Sequence, residues 1–109
     1  MAAITPSTVT RSGLLAAPAA VSASDTISGD LVPQAGLLYR VINGGGSSDN
    51  VSISDGGTTP LGNPGTVSAV AVANGTTKTI LITRNNIASG VVTITHSFTT
   101  SVTFELQRV

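Results

Sequence analysis

The sequence has no cysteine and no tryptophan. Without cysteine there are no disulfides, no thiolate nucleophile and no cysteine-ligated zinc. Small secreted domains often rely on disulfides, so this absence favours assembly in a reducing cytosol. Aromatic residues are limited to Tyr39, Phe98 and Phe104, a poor platform for stacking sugar rings or unpaired bases. Charge is equally sparse: 9% of residues are charged, against about 25% in a typical soluble protein. The five basic residues, Arg11, Arg40, Lys78, Arg84 and Arg108, balance five acidic ones and are scattered. No basic stripe is available to neutralise a run of phosphates, so nucleic acid is not an expected partner. No apolar run approaches the roughly 20 residues that span a bilayer, so no membrane partner is expected.

What is present is aliphatic and hydroxylated. Hydrophobic residues make up 40% of the 109 residues, enough for the modest core of one domain. Serine and threonine take the place of charge, giving a polar surface that is cheap to desolvate against another protein.

Residues 1–20 contain Pro6 and Pro18 and show no helical period, so they read as an extended N-terminal arm. Arg11, the apolar Leu14 to Val21 and the small-residue Val21-Ser22-Ala23 have the outline of a signal peptide. The apolar part is short, alanine-rich and broken by Pro18, which favours an arm that packs on the domain or a neighbour. Residues 21–109 then alternate. Val21 to Ser28 is a candidate strand and Asp30 to Gly36 a turn. Leu37 to Asn43 is apolar on both faces and is expected to be a central strand. Asn50 to Ser54 points Val51 and Ile53 inward, and Asp55 to Gly65, with four glycines and two prolines, is a long loop. Thr66 to Ala73 and Thr77 to Thr83 flank Asn74-Gly75, the strongest short-range hairpin signal, for which a type I′ turn is expected. Val91 to Ser97 and Val102 to Arg108 complete the set, the last with Val102, Phe104 and Leu106 inward and Glu105 outward. The expected core is Val51, Ile53, Val70, Val72, Ile80, Ile82, Val92, Ile94, Phe104 and Leu106. Turn signals about every ten residues specify an all-β fold, a single antiparallel β-sandwich or a small Greek-key or jelly-roll-like barrel.

The search for chemistry returns no catalytic, cofactor-binding or metal residue. His96, the one histidine, falls on the Val92–Ile94–His96 face and is expected to be structural, with no Gly-x-Ser-x-Gly elbow to accompany it. Asp25, Asp30, Asp49 and Asp55 lie in or beside loops and read as solvated turn formers. Asp49, Asn50 and Asp55 flank glycine-rich turns, but calcium needs six to eight oxygen ligands that no Asp-x-Asp-x-Asp spacing supplies. Gly44-Gly45-Gly46 lacks the Gly-Lys-Ser/Thr and the helix of a phosphate loop. Two glycosylation sequons, at Asn50 and Asn74, matter only in a secretory compartment.

One likeness runs along most of the chain. Ala3-Ile4-Thr5-Pro6-Ser7, Asp25-Thr26-Ile27, Tyr39-Arg40-Val41-Ile42-Asn43 leading into a Gly/Ser loop, Asn74-Gly75-Thr76-Thr77-Lys78-Thr79-Ile80, Val91-Val92-Thr93-Ile94-Thr95 and Ser101-Val102-Thr103 together resemble the small β-rich decoration, or cement, proteins of tailed bacteriophages. The resemblance covers most of the chain. It implies a non-enzymatic, cofactor-free protein on the capsid surface of the virion, assembled in the host bacterial cytoplasm. It implies the major capsid protein as partner and a homo-oligomer, commonly a trimer. On that expectation Ile4, Val9, Leu14 and Leu15 of the arm are the candidate contacts with capsid or subunit. The alternatives are a phage tail or fibre domain and a secreted or cell-surface glycan-binding sandwich, which cleavage after Ala23 would favour.

Overall fold

The computed structural model describes residues 2–8, 18–56, 61 and 68–108. They form two β-sheets packed face to face. The strands are β1 (Ala2–Ala3), β2 (Ser7–Thr8), β3 (Ala19–Ala20), β4 (Ser24–Ser28), β5 (Leu37–Asn43), β6 (Asp49–Ile53), β7 (Ser68–Val72), β8 (Thr77–Ile82), β9 (Val91–His96) and β10 (Val102–Arg108). One sheet runs β1-β4-β9-β6-β7; the other runs β2-β10-β5-β8, with β3 also on β10. The long pairings are antiparallel, whereas the two-residue pairings of β1 with β4 and of β2 with β10 are parallel. The fold is an all-β sandwich.

Alternation decides which side chains meet between the sheets, because successive Cβ atoms point to opposite faces. Leu37, Tyr39 and Val41 of β5 are buried and face Val51 and Ile53 of β6 and Val92 and Ile94 of β9 across the core. β5 is central in its sheet, as its two apolar faces require, with Leu38 and Ile42 half-buried on the outer side. Of the expected core, Val51, Ile53, Val72, Ile82, Val92, Ile94, Phe104 and Leu106 are buried, and Val70 and Ile80 are half-buried.

The N-terminal segment crosses from one sheet to the other along one side of the sandwich. β1 adds to β4, Ile4 packs half-buried against the core, Pro6 is buried, and β2 adds to β10. Proline suits the crossing, since it has no N–H to leave unpaired. Ile4 therefore sits on its own domain, while Val9, Leu14 and Leu15 lie outside the described residues.

The Asn74-Gly75 turn departs from expectation. β7 and β8 do not pair; they belong to opposite sheets, so the turn is a corner between sheets. Thr76 N–H donates to Ala73 O at 3.1 Å, and Gly75 alone takes positive φ, at 77°, so the turn is not type I′, which needs both central residues there. The corner is organised by Asn43. Its backbone N–H donates to Thr76 O (3.0 Å) and its carbonyl accepts from Gly75 N–H (2.8 Å). Its buried amide donates to Ser47 O (2.8 Å) and Val72 O (3.0 Å) and accepts from Gly45 N–H (3.0 Å). One side chain thus ties the glycine loop after β5 to the end of β7.

Candidate functional site

The only polar cluster that combines a hydroxyl, an imidazole and a carboxylate lies in the core, among the described residues. β5 supplies Tyr39, β9 supplies His96 and β6 supplies Asp49. The β6–β9 register sets His96 opposite Val51. Asp49, two residues before Val51 on the same strand, shares its inward face. Tyr39 and Asp49 are fully buried and His96 is 4% exposed. The Tyr39 hydroxyl lies 2.7 Å from His96 Nε2, and His96 Nδ1 lies 2.5 Å from Asp49 Oδ2. The second carboxylate oxygen of Asp49 accepts from Phe98 N–H at 3.2 Å.

One proton assignment satisfies all three groups. Asp49 as carboxylate accepts Nδ1–H, and the free Nε2 then accepts the Tyr39 O–H. Burial pushes the Tyr39 phenol far above its ordinary value, and the Asp25 and Asp49 carboxylates push it further, so the hydroxyl keeps its proton. Asp25 is itself buried on β4 and accepts from the Ser22 backbone N–H at 3.3 Å and from the Ser22 hydroxyl. The hydrogen bond from Tyr39 to His96 spans the two sheets, so the network is a polar strut through a mainly apolar core.

A hydroxyl–imidazole–carboxylate chain has the connectivity of a nucleophile, its base and the group that orients the base. Here the hydroxyl points at the histidine from within the core, where both side chains are buried. The surface depression formed by Asp55, Gly56, Arg84, Asn85 and Ile87 contains none of the three residues. Among the described residues no three histidine, aspartate or glutamate side chains gather as metal ligands. Asp49 turns inward to His96 while Asn50 faces out, so β6 does not present them together to a calcium ion.

Three acidic residues sit differently from the sequence reading. Asp25 and Asp49 are buried network members rather than solvated loop residues. Glu105 alternates away from Phe104 and Leu106 as expected, yet is only 8% exposed and lies 3.6 Å from Arg40. That arginine side chain is half exposed, so the pair contributes little to stability. Asp30 and Asp55 are exposed, as turn residues should be. His96 was legible as an inward residue. Its partner was findable too, since counting back from Ile53 and Val51 by twos reaches Asp49.

Comparison with family models, with curated proteins and with solved structures returns no match for this chain.

Proposed function

We propose that this protein is a non-enzymatic structural component of a virus particle, a decoration protein that binds the outside of a tailed-phage head and stabilises it by bridging major capsid subunits. The observation that carries the non-catalytic part of this reading is the buried Tyr39–His96–Asp49 network. The side chains best suited to proton transfer bond to each other inside the core, where they serve the fold. Two further observations support a glycan-free binding role. Tyr39 and Phe104 are buried and Phe98 is half-buried against the core, so no aromatic platform for sugars stands on the described surface. The outer face of the β1-β4-β9-β6-β7 sheet carries mainly serine, threonine and alanine, which cost little to desolvate, and that of the other sheet adds Leu38, Ile42 and the exposed Leu81.

In this reading the arm of residues 1–20 supplies the contact. Its apolar Val9, Leu14 and Leu15 bury area against a capsid subunit at about 25 cal/mol per Å². Each copy then binds moderately, because ordering the arm costs entropy. Many copies bound to the assembled shell stabilise it by mass action. The test uses the full chain with Val9→Ser, Leu14→Ser and Leu15→Ser together, measured for binding to shells that lack the protein. Every contact described for residues 2–8 and 18–21 remains in place. The expected result is at least tenfold weaker binding and a lower shell melting temperature. Unchanged affinity and unchanged shell stability refute the arm's role, and absence of the protein from purified virions refutes the assignment.

A further inference from the structure

We infer that residues 2–8 are exchanged between copies, one protein seating them in the slot between β4 and β10 of a second. The inference rests on the reading of residues 1–20 as a docking arm, and names a second partner for it. The seat is visible in full. Ala2–Ala3 pair with Asp25–Thr26, and Ile4 N–H donates to Thr26 O at 2.8 Å. Ile4 reaches the core between the sheets and Pro6 is buried. Ser7–Thr8 pair with Gln107–Arg108, and the Arg108 guanidinium donates to Thr8 Oγ1 (2.8 Å) and Pro6 O (3.3 Å).

Three features of this seat make it exchangeable. First, every partner lies far along the chain, at residues 25–26 or 107–108, so the seat recognises the sequence of the segment and not its covalent origin. Second, the hold is modest: two pairings of two residues, with Ala3, Thr5, Ser7 and Thr8 exposed and Ile4 only half-buried. A segment held this way leaves readily, and leaves bare strand edges on β4 and β10 that must be paired again. Third, the tether is long enough. From Thr8 to Ala19, the next residue paired in a sheet, is eleven residues, a reach of up to about 39 Å, while the shortest dimension of the molecule is 20 Å. A copy abutting that side is within range. Seats within and between copies are chemically identical, so local concentration decides between them. A shell crowded with copies raises that concentration into the range where exchange prevails.

The absence of cysteine gives a clean test. Ala3 and Thr26 are register partners, so full chains carrying Ala3→Cys and Thr26→Cys singly are unfolded, mixed, refolded together and mildly oxidised. The expected product is the mixed disulfide dimer, several-fold above either like-with-like dimer. The doubly substituted chain is expected to give linked dimers and larger rings rather than closed single chains. Circular dichroism checks that each variant retains the strand spectrum. The pair Ser7→Cys and Gln107→Cys, also in register, serves if the first pair disturbs folding. Closure within single chains only, or no excess of the mixed dimer, overturns the exchange. Such a result with shell binding intact leaves the docking arm standing, and loss of shell binding in the serine variant with mixed dimers still formed does the reverse.

Discussion

Replacing Tyr39 by phenylalanine removes one oxygen and leaves the ring, which stacks on Phe104 with centroids 5.6 Å apart. The loss falls on His96 Nε2, which accepts the Tyr39 O–H at 2.7 Å. The His96 side chain is fully buried, so no water takes the place of the hydroxyl. The ring cannot turn Nε2 elsewhere without breaking the Nδ1 contact to Asp49. A stranded buried acceptor costs about 1–3 kcal/mol. For 109 residues an unfolding entropy of about 2.1 cal/mol/K per residue makes each kcal/mol worth about 4 °C, so Tm should fall by about 4–13 °C. Calorimetry of the two proteins under one buffer measures it, and the strand spectrum should be unchanged. A Tm within 1 °C of the parent, or above it, means that the hydroxyl does not bridge the sheets as argued.

Alkali should act through the same residue. The folded phenol is raised far above 10, and the unfolded one ionises near 10, so the stabilisation is complete below about pH 10 and falls by about 1.4 kcal/mol per pH unit above it. With one tyrosine in the chain, tyrosinate absorbance should rise only as the strand spectrum is lost; titration near pH 10 with the fold intact counts against the buried network. Phe104→Ala, at 9% exposure, should cost about 3–5 kcal/mol in urea unfolding, and a change near zero would mean that β10 presents its other face to the core. Gly36→Ala should destabilise by more than about 1 kcal/mol, because φ is +89° there and the new Cβ would stand 2.7 Å from the Ile82 carbonyl oxygen; thermal unfolding at parental Tm would show that the turn before β5 relaxes freely.

Much of this architecture is local information. Alternation in β5, β6, β9 and β10 is a property of each segment alone, and it located both the strands and their inward faces. What failed depended on the pairing of distant segments. Asn74-Gly75 did mark a turn, and Gly75 did take positive φ. Whether the flanking strands pair is decided elsewhere: β6 holds β7, β5 holds β8, and Asn43 pins the corner. Asp49 looked like a loop residue because its strand begins two positions before Val51, the first apolar residue of the pattern. Its burial follows from His96, 47 residues away. Glu105 shows the limit of a two-faced reading, since pointing away from the core is not the same as meeting solvent. For the candidate contact residues the sequence offered a resemblance and an apolar segment, because a surface that meets another protein carries no periodic signal of its own.

The position of β10 has a consequence for the life of the chain before it is folded. β10 is the hub of its sheet, holding β5, β2 and β3 together, and it leaves the ribosome after the other described strands. Until it does, β2 has waited through about a hundred residues for its partner, as Thr8 pairs with Arg108. Strand pairs this far apart form slowly, because loop closure precedes any contact that rewards it. Nascent chains on one message therefore expose β2, β3 and one edge of β5 until β10 emerges. The interval before β10 emerges is when neighbouring chains can most easily take each other's strands, and also when aggregation most threatens the yield.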